Sequence, residues 1–221
     1  MSFTLVDAGR TGYNGSPATS IATSAPVAGV SVGDVVVALV SSNSNTDTLT
    51  SVSDGTSNLT AADTFNFRID IGSQFYYFIS PNSGSLTYTA NWNAGTAGDR
   101  GICVYVFHPS ATAAFDVSRN DQNAGASTAM DSGLITPTGS DEIVFGGGRA
   151  ENASISAPLI NGSAATGQIN ISAAIELWYL ATAGAAGNAT ATCSSGNWTC
   201  GAISFKISGA AAQNKIFYVR A

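Results

Sequence analysis

A hydrolase built on this chain would find glutamate and histidine scarce: Glu142, Glu151, Glu176 and the one histidine, His108, are all there are. General acid–base catalysis needs two such groups placed against one substrate bond. Glu176 lies in Ile175-Glu176-Leu177-Trp178-Tyr179, where a lone strand glutamate reads as a solvated or paired surface residue. His108 precedes Pro109 at a strand end, with no partnered serine or cysteine motif around it. No G-x-S-x-G, P-loop or H-E-x-x-H pattern occurs. Gly146-Gly147-Gly148 follows a strand but opens no helix, so it does not read as a phosphate cradle. No catalytic residues are therefore assigned, and the chain is expected not to be an enzyme.

Metal and thiol chemistry are equally thin. Oxygen ligands cluster in Asn43-Ser44-Asn45-Thr46-Asp47 and in Asn120-Asp121-Gln122-Asn123, but neither has a calcium-loop spacing, and turn chemistry accounts for both. Cys103 falls in an apolar strand and reads as a small buried hydrophobe. Cys193 and Cys200 flank a six-residue segment between two strands, so a disulfide and two free thiols both remain open. Their spacing does not suit zinc. No metal and no cofactor are expected.

The residues best placed for binding are aromatic. Trp92, Trp178 and Trp198, with Tyr76, Tyr77 and Tyr179, are a sugar-stacking inventory, although strand aromatics mostly belong to cores. Trp198 lies in the 193–200 connection and Tyr13 in a turn-rich stretch, so these two are the candidate glycan contacts. The charge balance excludes other partners. Two lysines, Lys206 and Lys215, and six scattered arginines form no basic stripe, which argues against nucleic acid. The net charge is −6, with charged residues at only 10% of the chain. No apolar run approaches the roughly 18 residues of a membrane span. Residues 2–7 enter a strand at once, without a charged and then apolar leader, so the expectation is a chain used without Sec export.

The elements that must position these groups are strands. Apolar runs and strict alternations are separated by Asp54-Gly55, Pro81-Asn82, Ser83-Gly84, Asn161-Gly162 and Ser208-Gly209. No segment keeps a 3.6-residue period over a dozen residues. In 86–92, Leu86, Tyr88, Ala90 and Trp92 share one face. In 201–207, Ile203, Phe205 and Ile207 share a face opposite Ser204 and Lys206, which predicts one core side and one wet side.

The order of strands also repeats about a hundred residues apart. Gly33-Asp34 opens Val35–Val40 as Asp141-Glu142 opens Ile143–Phe145. Phe75–Ile79 matches Leu177–Leu180, Leu86–Trp92 matches Asn188–Cys193, and Ile102–Phe107 matches Ala202–Ile207. Two such units predict an all-β fold: a jelly-roll-like antiparallel β-sandwich built from two Greek-key halves. The expected organisation is one sandwich domain over 1–207, then a linker and C-terminal β arm over 208–221. The arm carries Lys215-Ile216-Phe217-Tyr218-Val219-Arg220, which docks either on its own sandwich or on a neighbour by strand addition.

Gly33-Asp34-Val35-Val36-Val37-Ala38-Leu39-Val40-Ser41, Ser51-Val52-Ser53-Asp54, Phe75-Tyr76-Tyr77 and the closing strand 101–107 together resemble β-sandwich domains of tailed-phage virion proteins and of some secreted bacterial proteins. The likeness spans residues 30–208. The turn after Asp54 is Gly55-Thr56-Ser57-Asn58, where the family has a longer D-S-x-G-N form. The resemblance implies a non-enzymatic virion structural protein, a capsid decoration or tail-associated subunit made in the host cytoplasm. Its partners would be other virion proteins and copies of itself. Phe3, Leu5, Ile216, Phe217, Tyr218 and Val219 are the expected assembly contacts. The alternative is a carbohydrate- or receptor-binding module that recognises a surface glycan through Trp198 and Tyr13.

Overall fold

The computed structural model describes residues 2–44, 46–63, 66–68, 71–95, 98–123, 127–139, 141–151, 153–172, 174–181, 187–194 and 197–208. Among them the fold is all-β, and every ladder is antiparallel. The first copy of the repeat supplies β1 (Phe3–Leu5), β2 (Arg10–Asn14), β3 (Ser20–Ala22), β4 (Val27–Val30), β5 (Val35–Ser42), β6 (Leu49–Ser53), β7 (Thr60–Ala61), β8 (Asn66–Arg68), β9 (Ile71–Ile79), β10 (Gly84–Leu86), β11 (Thr89–Trp92) and β12 (Arg100–Pro109). The second supplies β13 (Ala113–Asn123), β14 (Ala129–Asp131), β15 (Glu142–Ala150), β16 (Ile155–Ile160), β17 (Ser163–Ala164), β18 (Gly167–Ile171), β19 (Ile175–Leu180), β20 (Ala189–Cys193) and β21 (Trp198–Ile207).

The copies are built alike. In the first, β12-β5-β9 is the centre of a large sheet, edged by β1 and β2 on one side and by β7 and β8 on the other. In the second, β21-β15-β19 is the centre, edged by β13 and β18. Each large sheet is covered by a small one, β3-β11-β6 with β10-β4 in the first copy and β14-β20-β16-β17 in the second. The registers also agree: Phe107 pairs with Val35 as Phe205 pairs with Ile143. Thr23 bonds the backbone of Tyr88 as Ser132 bonds that of Ala189.

The sandwich expectation holds, but the way the copies combine differs from a jelly roll. No described strand of 3–109 is laddered to one of 113–207. Each copy closes its own sandwich, and the two large sheets then pack face to face. β2 lies against β18 and β8 against β13, while β12 meets β19 and β9 meets β21. Each contact thus occurs twice with the copies exchanged, which is the pattern of a two-fold interface.

This stacking explains why the one-wet-face expectation fails in the central strands. All eight residues of β5 are buried. Val35, Val37 and Leu39 face the seam between the sandwiches, and Val36, Ala38 and Val40 face the first sandwich's own interior. In β21, Ile203, Phe205 and Ile207 face the seam, but Ser204 opposite them is also buried. A sheet covered on both faces reads as a nearly continuous apolar run. The seam buries 18 residues, including Leu39, Phe75, Phe107, Phe145, Tyr179 and Phe205. At roughly 1.5–3 kcal/mol for each large side chain, it holds the sandwiches as one body.

The three glycines of β15 answer to this packing. A methyl at Gly146 would overlap the Trp178 indole, and one at Gly148 would overlap the Thr199 carbonyl. One at Gly147 would lie 2.9 Å from Leu39 and 3.1 Å from Phe75, across the seam. The run is glycine because a central strand is approached closely on both faces.

Candidate functional site

Among the polar clusters of the described residues, three bring together groups that could do chemistry or bind a ligand. Two occupy matching positions at one end of the sandwiches. Asp34 and Glu142 open β5 and β15, while His108 and Lys206 close β12 and β21 beside them.

In the first copy, His108 Nδ1 lies 2.6 Å from the fully buried Asp34 carboxylate. A carboxylate that orients an imidazole is half of a nucleophilic triad. Here no hydroxyl or thiol among the described residues hydrogen-bonds to the other ring nitrogen. The second Asp34 oxygen accepts from the Ser31 amide at 2.8 Å, within the turn where Gly33 takes φ +95°. The pair holds a turn.

In the second copy, Lys206 Nζ donates to Asp116 Oδ1 at 2.7 Å and to Thr138 Oγ1 at 2.6 Å. Thr138 donates its own hydroxyl and amide to the same carboxylate. Glu142 accepts from the Gly139 amide through one oxygen and leaves the other without a partner. Burial, reinforced by the nearby Asp116 carboxylate, pushes Glu142 up to about 7. Burial raises Asp116 too, but Lys206 and Thr138 hold it below the ordinary carboxylate range. One proton-holding and one ionised carboxyl form an acid–base pair in principle. Both carboxyls are covered, while Lys206 and Thr138 form the part of the cluster that reaches water.

The third cluster lines a cleft of about 340 Å³ at the other end of the seam, where both sandwiches contribute. Tyr13 ends the edge strand β2, and its ring is half exposed. Its hydroxyl donates to Asp99 Oδ1 at 2.5 Å. That bond, with burial, raises the phenol, while the Ser172 hydroxyl pulls the other way. Asp99 is clamped by Asn43 through paired bonds of 3.0 Å, backbone amide to carbonyl and backbone amide to side-chain oxygen. Arg149 reaches the cleft from β15 on the seam-facing parity of Ile143, Phe145 and Gly147. It donates through Nη1 to Ser41 Oγ and to the Asp99 carbonyl, both at 3.3 Å. Its Nη2 stops 3.6 Å from Asp99 Oδ2, and its Nε has no partner. Only 5% of Arg149 is exposed, and this burial lowers its guanidinium below the ordinary value. Ser154, Ser172 and Ser194 complete the polar lining, with Ser172 held at φ +50°. An exposed ring, a carboxylate, a cation and three hydroxyls suit recognition of a polyhydroxylated ligand.

Of the binding candidates named from sequence, Tyr13 lies in this cleft and Trp198 does not. Trp198 begins β21, is 5% exposed, and packs into the second sandwich's core with Met130 and Ala150. It is a core residue, because the 193–200 connection is short and its C-terminal end is already strand. Phe3 and Leu5 point into the seam rather than outward, which removes them as assembly contacts. Ile216, Phe217, Tyr218 and Val219 lie outside the described residues. Cys193 and Cys200 are buried free thiols on strands of different sheets, β20 and β21, bonded to the Ser127 and Ala189 carbonyls respectively. Glu176 is not at the surface either: it is 1% exposed, and one oxygen has no partner. Among the described residues no second carboxylate is paired with it, and burial is the cause that raises it. Of the two oxygen-rich stretches weighed for calcium, 43–47 serves the frame: Asn43 clamps Asp99, and Asp47 pairs with the buried Arg100, whose guanidinium lies 4.5 Å over Trp92. The other, 120–123, is the end of strand β13 and not a turn.

Asp99, Arg149 and Ser172 were not singled out in the sequence. One signal was present for Arg149: a charged residue on the inward parity of an otherwise apolar strand. Comparisons with family models, curated proteins and solved structures find no match for this chain.

Proposed function

We propose that this protein is a non-enzymatic structural subunit of a tailed-phage virion, a capsid decoration or tail-associated protein acting through assembly contacts. The observation that favours this reading is the closure of the frame. Two sandwiches share one apolar seam, and the acid–base groups at the end where β5 and β15 begin are covered or engaged in holding a turn. Such a block offers surfaces rather than a reactive pocket. Val32 and Leu134, at 67% and 61% exposure, replace Phe3 and Leu5 as contact candidates. The reading is tested by mixing purified protein with particles lacking it and measuring co-sedimentation, alongside the native mass in solution. A monomer that never joins particles would refute it.

A second reading, glycan binding, is favoured by the seam cleft, where the exposed Tyr13 ring stands beside Asp99 and Arg149. A saccharide array with wild type and Tyr13→Ala tests it. Absence of any hit would remove it.

A further inference from the structure

The charge in the seam cleft narrows what it would hold. Arg149 is 95% buried by its 5% exposure, yet it is incompletely matched. Its Nη1 bonds go to a hydroxyl and a carbonyl, both neutral, at 3.3 Å. Its nearest carboxylate oxygen stands 3.6 Å away, outside hydrogen-bond reach. That carboxylate, Asp99, is 41% exposed at its side chain and is already accepting from Tyr13. A desolvated guanidinium whose ion pair to a half-exposed carboxylate is long and makes no hydrogen bond recovers only part of the hydration it has lost. An arginine fork is shaped to take a carboxylate through two parallel bonds. The surrounding groups are those a sugar ring requires: one half-exposed aromatic face for stacking and the hydroxyls of Ser154, Ser172 and Ser194. Backbone held at φ +50° in Ser172 marks a position fixed by its surroundings.

We propose that the seam cleft binds a carboxylate-bearing saccharide, a uronic or sialic acid residue, with the sugar ring on Tyr13 and its carboxylate on Arg149. This rests on the glycan-binding reading and extends it. The cleft is formed by both sandwiches, so the site exists only because the copies pack through their large sheets. Asp99 then has a definite role: it holds the Tyr13 hydroxyl and weakens the hold on an anion by its own charge.

The test is calorimetric or NMR titration with trigalacturonate and sialyllactose, set against methyl-esterified trigalacturonate and lactose as uncharged counterparts. At low salt the acids are expected to bind at least tenfold tighter than their counterparts, with the advantage shrinking in 0.5 M salt as screening predicts. Tyr13→Ala, at an exposed edge position, is expected to weaken acid and neutral sugars alike by tenfold or more. Asp99→Asn, which removes the competing charge but also alters the bond that holds the Tyr13 ring, is expected to raise the preference for acids over their neutral counterparts severalfold. Equal binding of acids and counterparts would overturn the anionic assignment while leaving glycan recognition standing. No binding of any of the four would overturn both. Acid binding that Tyr13→Ala leaves untouched would place the site elsewhere and also overturn the proposal.

Discussion

Glu176→Gln should make the protein more stable above neutral pH and change little below pH 5. Glu176 is 1% exposed, one of its oxygens has no partner, and burial pushes it up to about 7 from an ordinary 4.5. Below pH 4.5 the carboxyl is protonated whether the chain is folded or not, and its titration costs nothing. Between 4.5 and 7 the folded state keeps a proton that the unfolded state has released, so stability falls as pH rises. Above 7 the full cost is present. A shift of this size corresponds to about 3 kcal/mol at 1.36 kcal/mol per pKa unit. Screening in a real interior brings it to roughly 2 kcal/mol. Glutamine removes the titration and keeps the shape. The other copy already uses it: Gln74 pairs with Val40 where Glu176 pairs with Gly148. Urea unfolding of both proteins at pH 5 and pH 8 measures the difference. The wild type should lose about 2 kcal/mol more than the variant over that interval. Glu142, also raised to about 7, keeps its own pH dependence in both proteins and cancels in the comparison. Equal pH dependence in the two would show that Glu176 titrates normally and would refute the reasoning.

Gly146→Ala should cost about 1–3 kcal/mol or more in urea unfolding, because the added methyl has no space beside the Trp178 indole. Trp198→Ala should destabilise by about 3–5 kcal/mol as a core truncation, and saccharide affinity of the folded fraction should be unchanged. Ellman's reagent should find no accessible thiol in the native protein and three after denaturation, without prior reduction; two missing thiols would indicate a Cys193–Cys200 bond.

Much of the frame was legible because the signals that make strands are local. Alternation at Tyr88, Ala90 and Trp92 reports the pleat, and all three are buried. The glycines at 55, 84 and 162 mark turns, and each adopts positive φ. The repeat was legible too, since equivalent strands carry equivalent patterns. The site was not. Tyr13, Asp99, Arg149 and Ser172 come from four distant segments and meet only where one sandwich ends against the other. Trp198 and Glu176 were misplaced for a related reason. Chain position told that each was near a strand but not that the sheet carrying it is covered on both sides.

The amino-acid order alone therefore determined strands, turns and a doubled unit, because hydrogen-bonded pleats and φ restrictions act over a few residues. Tertiary structure alone decided that each unit closes separately and that the large sheets face one another. It thereby set which charges are buried and where a cleft opens. Those outcomes depend on side-chain volumes meeting across the seam, such as Leu39 and Phe75 against Gly147, and no local pattern records which surfaces will meet.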